Sequence, residues 1–470
     1  MPSPFQDGFY SHLPDKPTIS QIDLVERMER FLFEKKEYSA FILRGYAGTG
    51  KTTSVSAMIK TFPKIGLKTV LLAPTGRAAK VLSKNASKKA LTIHKKIYQS
   101  RRNKHGQMEF KRAPNLHQKT IFIIDEASMI SEQVQINGSS VIDDLMGYIY
   151  SGKSCRAIFV GDTAQLPPVG REISVALDPK YLKSQFKIGL SGAELNEVLR
   201  QRKSSGILYN ANLLRSQLEE EEFKMQFELA NFQDIYRVNG LDLEDELNTQ
   251  LAKYGLEELK IICRSNKAAN AYNQQFRYRI LGLEDEIASG DQMMVVKNNY
   301  YWLDEKKGNG FIANGDILEI EQMKSIEDKY GFRFLDVSMR LIDYPDLPSI
   351  DVKLLLDTIN SDHSALKPEE NHALFNCIME EYADVSNKQK RLELVKKDPY
   401  FNALQVKFAY AITCHKAQGG QWKSVFVDQG YLTTEMLDKE YIRWLYTAVS
   451  RASEVLNLVN FNPRFFAEDS

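Results

Sequence analysis

Four cysteines in 470 residues (Cys155, Cys263, Cys377, Cys414) stand far apart, with no C-x-x-C pair. Such spacing offers neither a zinc ligand set nor a disulfide framework, and suits a reducing cytoplasm. No apolar run approaches the roughly 18 residues of a membrane span. The opening MPSPFQDGFYSHLPDKP lacks a basic segment followed by an apolar core, so it does not read as a secretory signal. An excess of charge is missing too: 62 Lys+Arg against 61 Asp+Glu leave a net charge of +1. Composition therefore carries no nucleic-acid signal, although a basic groove is compatible with an acidic exterior. Internal repeats and long low-complexity tracts are also absent. With 43% hydrophobic and 26% charged residues, the chain suits two to four soluble globular domains.

Against this plain background, FILRGYAGTGKTTSVSAMI (41–59) stands out. Gly45, Gly50, Lys51 and Thr52 match the phosphate-loop spacing G-x-x-x-x-G-K-[ST], with Tyr46, Ala47, Gly48 and Thr49 between and Thr53 following. Glycines let the backbone curl round a phosphate, and the start of the next helix adds partial positive charge. In this chemistry Lys51 neutralises the β- and γ-phosphates and the Thr52 hydroxyl ligates Mg²⁺. The apolar run before the loop and the helix-like run after it supply the strand–loop–helix context that the motif requires. TIFIIDEASM (120–129) adds a buried strand ending in two carboxylates. Asp125 is placed to hold the Mg²⁺ hydration shell and Glu126 to polarise the attacking water. Together these segments predict an NTP hydrolase.

Strand-like segments at 39–44, 68–73, 120–125 and 156–161 alternate with helical stretches, which predicts a parallel sheet with covering helices. Residues 19–35 have helical periodicity behind Ser20, the expected N-cap. Residues 97–114, IYQSRRNKHGQMEFKRAP, alternate polar and apolar about a turn-forming NKHG and predict a basic hairpin, as compatible with a solvated face as with a ligand. Beyond Pro168 the pattern predicts a helix at 192–218, strands at 261–265, 424–428 and 456–461, and a strand-turn-strand at 311–320. Residues 325–400 are charge-rich and interrupt the alternation, with a long helical portion near 368–396. The organisation expected is a first α/β unit at 15–190, a second at 191–324 and 401–466, and an inserted subdomain at 325–400.

Three further stretches bear on how the energy is used. FVGDTAQLPPVG (159–170) sets Asp162 and Gln165 just after a strand, where Gln165 is placed to sense a γ-phosphate. TCHKAQGGQW (413–422) sets Thr413, His415 and Lys416 beside a Gly-Gly turn. LYTAVSRAS (445–453) carries Arg451, far along the chain from the phosphate loop. An arginine supplied by a second domain makes hydrolysis depend on domain closure, as a motor requires.

The ordered set GYAGTGKT, LLAPTGRAAKVLS, LTIHK, IIDEASM, VGDTAQLPPVG, EVLRQ, TCHKAQG and YTAVSRA resembles superfamily 1B DNA helicases of the RecD and Dda type, over roughly residues 15 to 465. The resemblance implies two RecA-like P-loop domains, a β-hairpin inserted in the first and a mixed, SH3-like insertion in the second. It implies ATP as the nucleotide, with Gln21 reading adenine and Gly419 near the bound nucleotide, and Arg200 and Arg451 presented to the γ-phosphate. Pro74, Thr75, Thr92 and His94 fall in the stretches that touch the single-strand backbone, and Thr413, His415 and Lys416 grip it from the second domain. The basic hairpin falls where the family carries its strand-separating pin, with Phe110 or Met108 stacking on the splitting base pair. Movement 5′→3′, ssDNA and single-strand/duplex junctions as partners, a monomeric cytoplasmic enzyme, and a place among replication or repair proteins are implied likewise. Gln421 departs from the glutamate of many relatives. The chain reads as a stand-alone Dda-type enzyme rather than a nuclease subunit. Three alternatives stay open: a nucleotide switch, disfavoured because Asn266-Lys267-Ala268-Ala269 lacks the aspartate of guanine readers; an RNA motor; and a translocase that strips proteins without opening duplexes.

Overall fold

A computed structural model describes residues 3–34, 36, 38–102, 108–132, 138–168, 170–197, 205–220, 226–303, 312–344 and 347–466, with the side chains of 100–110 excepted. In chain order the strands are β1 (Ser39–Gly45), β2 (Lys68–Ala73), β3 (Ala90–Thr92), β4 (Tyr98–Arg102), β5 (Met108–Arg112), β6 (Thr120–Ile124), β7 (Arg156–Gly161), β8 (Gly189–Leu195) and β9 (Ile235–Val238). They continue as β10 (Leu259–Cys263), β11 (Gln292–Val295), β12 (Ile317–Lys329), β13 (Phe332–Leu341), β14 (Ile350–Leu355), β15 (Leu404–Phe408), β16 (Ala411–Thr413), β17 (Trp422–Asp428) and β18 (Ala452–Val459).

The first sheet has the order β3-β2-β6-β7-β1-β8, and every pairing in it is parallel. All five residues of TIFII in β6 are buried, because a central parallel strand is covered by helices on both faces. Each Ile or Phe side chain fully buried contributes about 1.5–3 kcal/mol. Two apolar layers flank the sheet: one gathers Phe41, Leu43, Met58 and Ile123, the other Ile42, Phe122, Ile124 and Phe159. The helix Pro4–Tyr10 adds Phe5 and Phe9 to the former, so this unit gathers chain from before residue 15.

The second sheet, β16-β10-β17-β18-β9, is also wholly parallel. Between its strands in sequence lies a closed barrel, β11-β12-β13-β14-β15, antiparallel except where β14 meets β15. Two parallel α/β units with a small mixed insertion is the architecture expected.

Several local expectations are corrected. The stretch 192–218 is not one helix: Gly189–Leu195 is the edge strand β8, and the helix spans Gly206–Gln217. Gly192 suits that strand, since a Cβ there would meet the Ile42 carbonyl oxygen at 2.7 Å. The N-cap of the helix Ile19–Phe33 is Thr18, not Ser20; the Ser20 backbone N–H and hydroxyl turn to Glu197 instead. The inserted unit draws strands from both sides of 325–400, because ring closure needs β11 and β15. Its helical portion is two helices, Pro368–Glu381 and Lys388–Lys396. β4 and β5 form the expected hairpin, with Tyr98 opposite Arg112 and Arg102 opposite Met108.

Candidate functional site

The adjacency of β6, β7 and β1 puts three loops side by side at the C-terminal edge of the first sheet. One is the phosphate loop after β1. Gly50 caps the helix Lys51–Thr61 at φ 85°, a left-handed conformation that glycine adopts without a Cβ penalty. Lys51 Nζ donates to the carbonyls of Gly45 (2.6 Å) and Tyr46 (2.8 Å) and lies 3.6 Å from Asp162. Thr52 is exposed on the first turn and Thr53 half-buried. Gly48 and Thr49 complete the curl, the former at φ 77° and the latter with its hydroxyl on the Tyr46 carbonyl.

The loop after β6 carries Asp125 and Glu126. Burial first, then the neighbouring charge of Glu126, raises the Asp125 carboxyl to about 7. The Glu126 N–H donates to Asp125 Oδ1 at 2.9 Å. The pair supplies oxygen donors only, and with the Thr52 hydroxyl suits a hard ion held chiefly by phosphates and water. Among the described residues no cluster of three or more His, Cys, Asp or Glu forms an all-protein metal cage.

Arg451 comes from the opposite unit, just beyond the helix Lys439–Val449, and its Nη1 lies 3.8 Å from Glu126 Oε1. The guanidinium is buried and oriented by the carbonyls of Thr447 and Gly420. Gln165 is also buried, and its Oε1 has no hydrogen-bond partner among the described residues. Lys51, Asp125, Glu126, Gln165 and Arg451 thus belong to one cleft between the sheets. Arg200 lies outside the described residues. Gln21 sits against the phosphate-loop helix, its Nε2 3.4 Å from Ser54 Oγ, while its Oε1 accepts the Thr18 N–H as part of the cap.

Residues not anticipated complete the cleft. Tyr446 Oη accepts the Ala47 N–H at 2.8 Å and donates to Asp162 at 2.6 Å. Arg443 donates to the Thr163 carbonyl, Thr447 Oγ1 accepts the Leu166 N–H, and Gln418 donates to the Leu166 carbonyl. Arg215 stacks 3.8 Å from the Tyr46 ring centre, and the Tyr46 hydroxyl donates to Glu194. The signal available for the first group was helical spacing: Arg443, Tyr446 and Thr447 recur at i, i+3 and i+4 with the already conspicuous Arg451.

The second constellation lies where the barrel meets both units. Thr75 caps the helix Gly76–Ala86, after Pro74, and Thr92 caps Ile93–Ile97, which begins next to His94. Burial lowers the His94 imidazole, whose ring stands 5.6 Å from that of Tyr98. Arg77 and Lys80 pair with the buried Asp343 of the barrel at 3.3 and 3.5 Å. Asp316 presses so closely on Gly76 that a Cβ there would meet its Oδ1 at 2.3 Å. From the second unit, Lys416 bonds Asn314 Oδ1, and Gly419 backs onto Ala78. Thr413 ends β16 and His415 follows it; the residue is exposed by surface area, yet the chain packed round its imidazole desolvates it and lowers it, with Glu440 opposing and Lys416 adding to the shift. Phe110 and Met108 are on β5; their side chains lie outside the described ones.

The family model of an AAA domain matches residues 26–231, and that of a UvrD-like helicase C-terminal domain matches 408–459. The ATP-dependent DNA helicase dda of Enterobacteria phage T4 is 24% identical over 89% of this chain and 93% of its own length. The chain thus carries an AAA-domain match and a UvrD-like helicase C-terminal match, and is similar over most of its length to a DNA helicase. It is also 30% identical to the ATP-dependent RecD2 DNA helicase of Deinococcus radiodurans over 33% of this chain and 19% of that longer protein. Among solved structures, the Bacteroides Pif1 helicase in complex with ADP-AlF3 and ssDNA is 15% identical, with a TM-score of 0.46 and 94% of each chain covered.

Proposed function

We propose that this protein is a helicase that hydrolyses ATP with Mg²⁺ in the cleft between its two α/β units and moves 5′→3′ along single-stranded DNA, opening duplexes with the β4–β5 hairpin. The observation that carries the reading is Arg451, which reaches from one unit to Glu126 of the other at 3.8 Å. Hydrolysis then requires both units in register, so each cycle closes and reopens the cleft. Lys51 binds the β- and γ-phosphates, Glu126 orients the attacking water and takes its proton, and Gln165 and Arg451 meet the γ-phosphate. Thr52 and Asp125 would hold Mg²⁺, which supplies charge neutralisation between the phosphates.

The strand track proposed runs over Pro74–Thr75, Thr92–His94 and Thr413–Lys416, with helix starts and cations toward the backbone. Support comes from the convergence of these segments on one barrel face: Asp316 at Gly76, Asp343 at Arg77 and Lys80, Asn314 at Lys416. The direction rests on the likeness to the RecD/Dda type, and DNA as the strand on the names those relatives carry.

The test is ATP-dependent strand displacement on two otherwise identical duplexes, one with a 5′ tail and one with a 3′ tail. Displacement from the 5′ tail alone is expected. Displacement from the 3′ tail alone overturns the direction. ATPase stimulated by ssDNA with neither duplex opened overturns the unwinding role and leaves the protein-stripping translocase. Activity on RNA tails in preference to DNA overturns the substrate.

A further inference from the structure

The phosphate loop is touched by a second-domain hydroxyl as well as by a second-domain arginine nearby. Tyr446 is fully buried in the helix Lys439–Val449, and its Oη makes two bonds into the first unit. A phenol has one proton to give, and here its roles are fixed. The Ala47 N–H can only donate, so Oη accepts it at 2.8 Å; the Asp162 carboxylate can only accept, so Oη donates to it at 2.6 Å. The same Asp162 accepts the Ala164 N–H through its other oxygen and stands 3.6 Å from Lys51. A continuous chain of contacts therefore runs from the second domain through Tyr446 to both the backbone and the lysine of the phosphate loop.

The helix that carries Tyr446 is devoted to this contact along one face. One turn earlier Arg443 Nη1 donates to the Thr163 carbonyl at 2.6 Å. Beside Tyr446, Thr447 Oγ1 accepts the Leu166 N–H at 2.8 Å. One turn later comes Arg451, opposite Glu126. The spacing 443, 446/447 puts these three on one stripe of the helix, and Arg451 follows just past its end. The loop 162–166, which contains Gln165, is thereby tied by its backbone to the helix that ends next to Arg451.

We propose that Tyr446 is a positioning residue for hydrolysis: its hydroxyl sets the phosphate loop and the Asp162–Leu166 loop in register with Arg451. The inference rests on ATP hydrolysis in this cleft, as proposed above. Its chemistry is alignment, since a displacement of about 1 Å between groups that act on one phosphate costs roughly 10²-fold in rate. Tyr446 then acts on the ground-state affinity for ATP far less than on turnover, because the loop's own amides and Lys51 remain. A tyrosine kept only for packing would behave otherwise: its ring fills the interface, and phenylalanine serves as well.

Tyr446→Phe separates the two, because it keeps the ring and deletes the hydroxyl. With saturating ssDNA, kcat for ATP hydrolysis is expected to fall between about tenfold and 10²-fold, with the KM for ATP within roughly threefold and ssDNA affinity unchanged. Asp162→Asn weakens the same link from the other side and is the second variant should the first fail to fold. If hydroxyl and carboxylate act as one unit, the double variant falls no further than the slower single. Full kcat in Tyr446→Phe, or losses that multiply in the double variant, would overturn the inference. An unmodified enzyme with no ssDNA-stimulated ATPase would overturn the proposed function and this inference together. Full turnover in both the unmodified enzyme and Tyr446→Phe overturns the inference alone.

Discussion

Replacing Asp316 by asparagine is expected to stabilise the protein, and to do so more at high pH than at low. The carboxyl is buried to 2% exposure in the turn that precedes β12, where the barrel meets the first unit at Gly76. Oδ2 accepts the Ala313 N–H at 2.7 Å, whereas Oδ1 faces Gly76 without a hydrogen-bond partner among the described residues. Burial raises the group from its ordinary 3.8 to about 7, with the Ala313 bond and Lys95 opposing and the Asp343 charge adding to it. Below pH 3.8 both folded and unfolded chains hold the proton, and the group costs nothing. As pH rises toward 7 the unfolded chain releases its proton while the folded one keeps it, so stability is lost across that window. At 1.36 kcal/mol per pH unit the loss is about 2 kcal/mol at pH 5.5 and about 4 kcal/mol at pH 8.5.

Asparagine removes the ionisation and can keep the Ala313 bond through its carbonyl oxygen. Its amide brings its own burial cost, but that cost does not change with pH. The difference between the two pH values is therefore the clean quantity: the gain from Asp316→Asn should be larger by about 2 kcal/mol at pH 8.5 than at pH 5.5. Urea unfolding followed by fluorescence reads it as a midpoint shift that grows by roughly 0.7 M between the two, for a slope of about 3 kcal/mol/M. A gain equal at both pH values, or larger at pH 5.5, would refute the assignment of a protonated buried carboxyl. The site sits at the start of a helix proposed to grip DNA, so strand-binding assays on the variant belong at matched pH.

Two further outcomes concern the motor. Arg451→Ala is expected to lower ssDNA-stimulated ATPase by roughly 10³-fold or more, with ssDNA affinity within about threefold; normal turnover would remove the arginine from the transition state. Deleting 101–110 is expected to abolish strand displacement from a tailed duplex while leaving ssDNA-stimulated ATPase in place. Continued displacement would show that the hairpin is not the pin.

What the sequence made legible was chemistry built from neighbours in the chain. The phosphate loop is one such case, since glycines, lysine and threonine at fixed spacing need only a strand before and a helix after. The run TIFIIDE is another: continuous apolar residues imply a strand covered on both faces, and its C-terminal edge is where the carboxylates emerge. β8 was hidden for the opposite reason. GLSGAEL has two glycines and a serine, weak β-formers on their own, and becomes a strand only by pairing along the whole of β1. The resemblance implied a small SH3-like insertion, but its strand membership was hidden because ring closure joins Met293 to Phe408, and no local pattern announces a pairing across that distance. Gln21 illustrates a third limit: the resemblance marks it as a base reader, whereas its spacing from Thr18 makes it a capping partner, and only coordinates reveal that its Oε1 is committed to the cap.

Tyr446 shows where the boundary between the two kinds of information falls. Arg451 was conspicuous because an arginine supplied by a second domain has a recognisable purpose at a phosphate, whereas a tyrosine in the last turn of a largely buried helix reads as core. Both readings of Tyr446 are physically right, since the ring is buried and packs while the hydroxyl bonds Ala47, 399 residues earlier in the chain. Residues that perform a chemical step announce themselves by type and local spacing. Residues that hold two domains in register need a partner hundreds of positions away, and no local pattern names that partner. In the motor proposed for this chain, that second class of residue determines whether hydrolysis becomes motion.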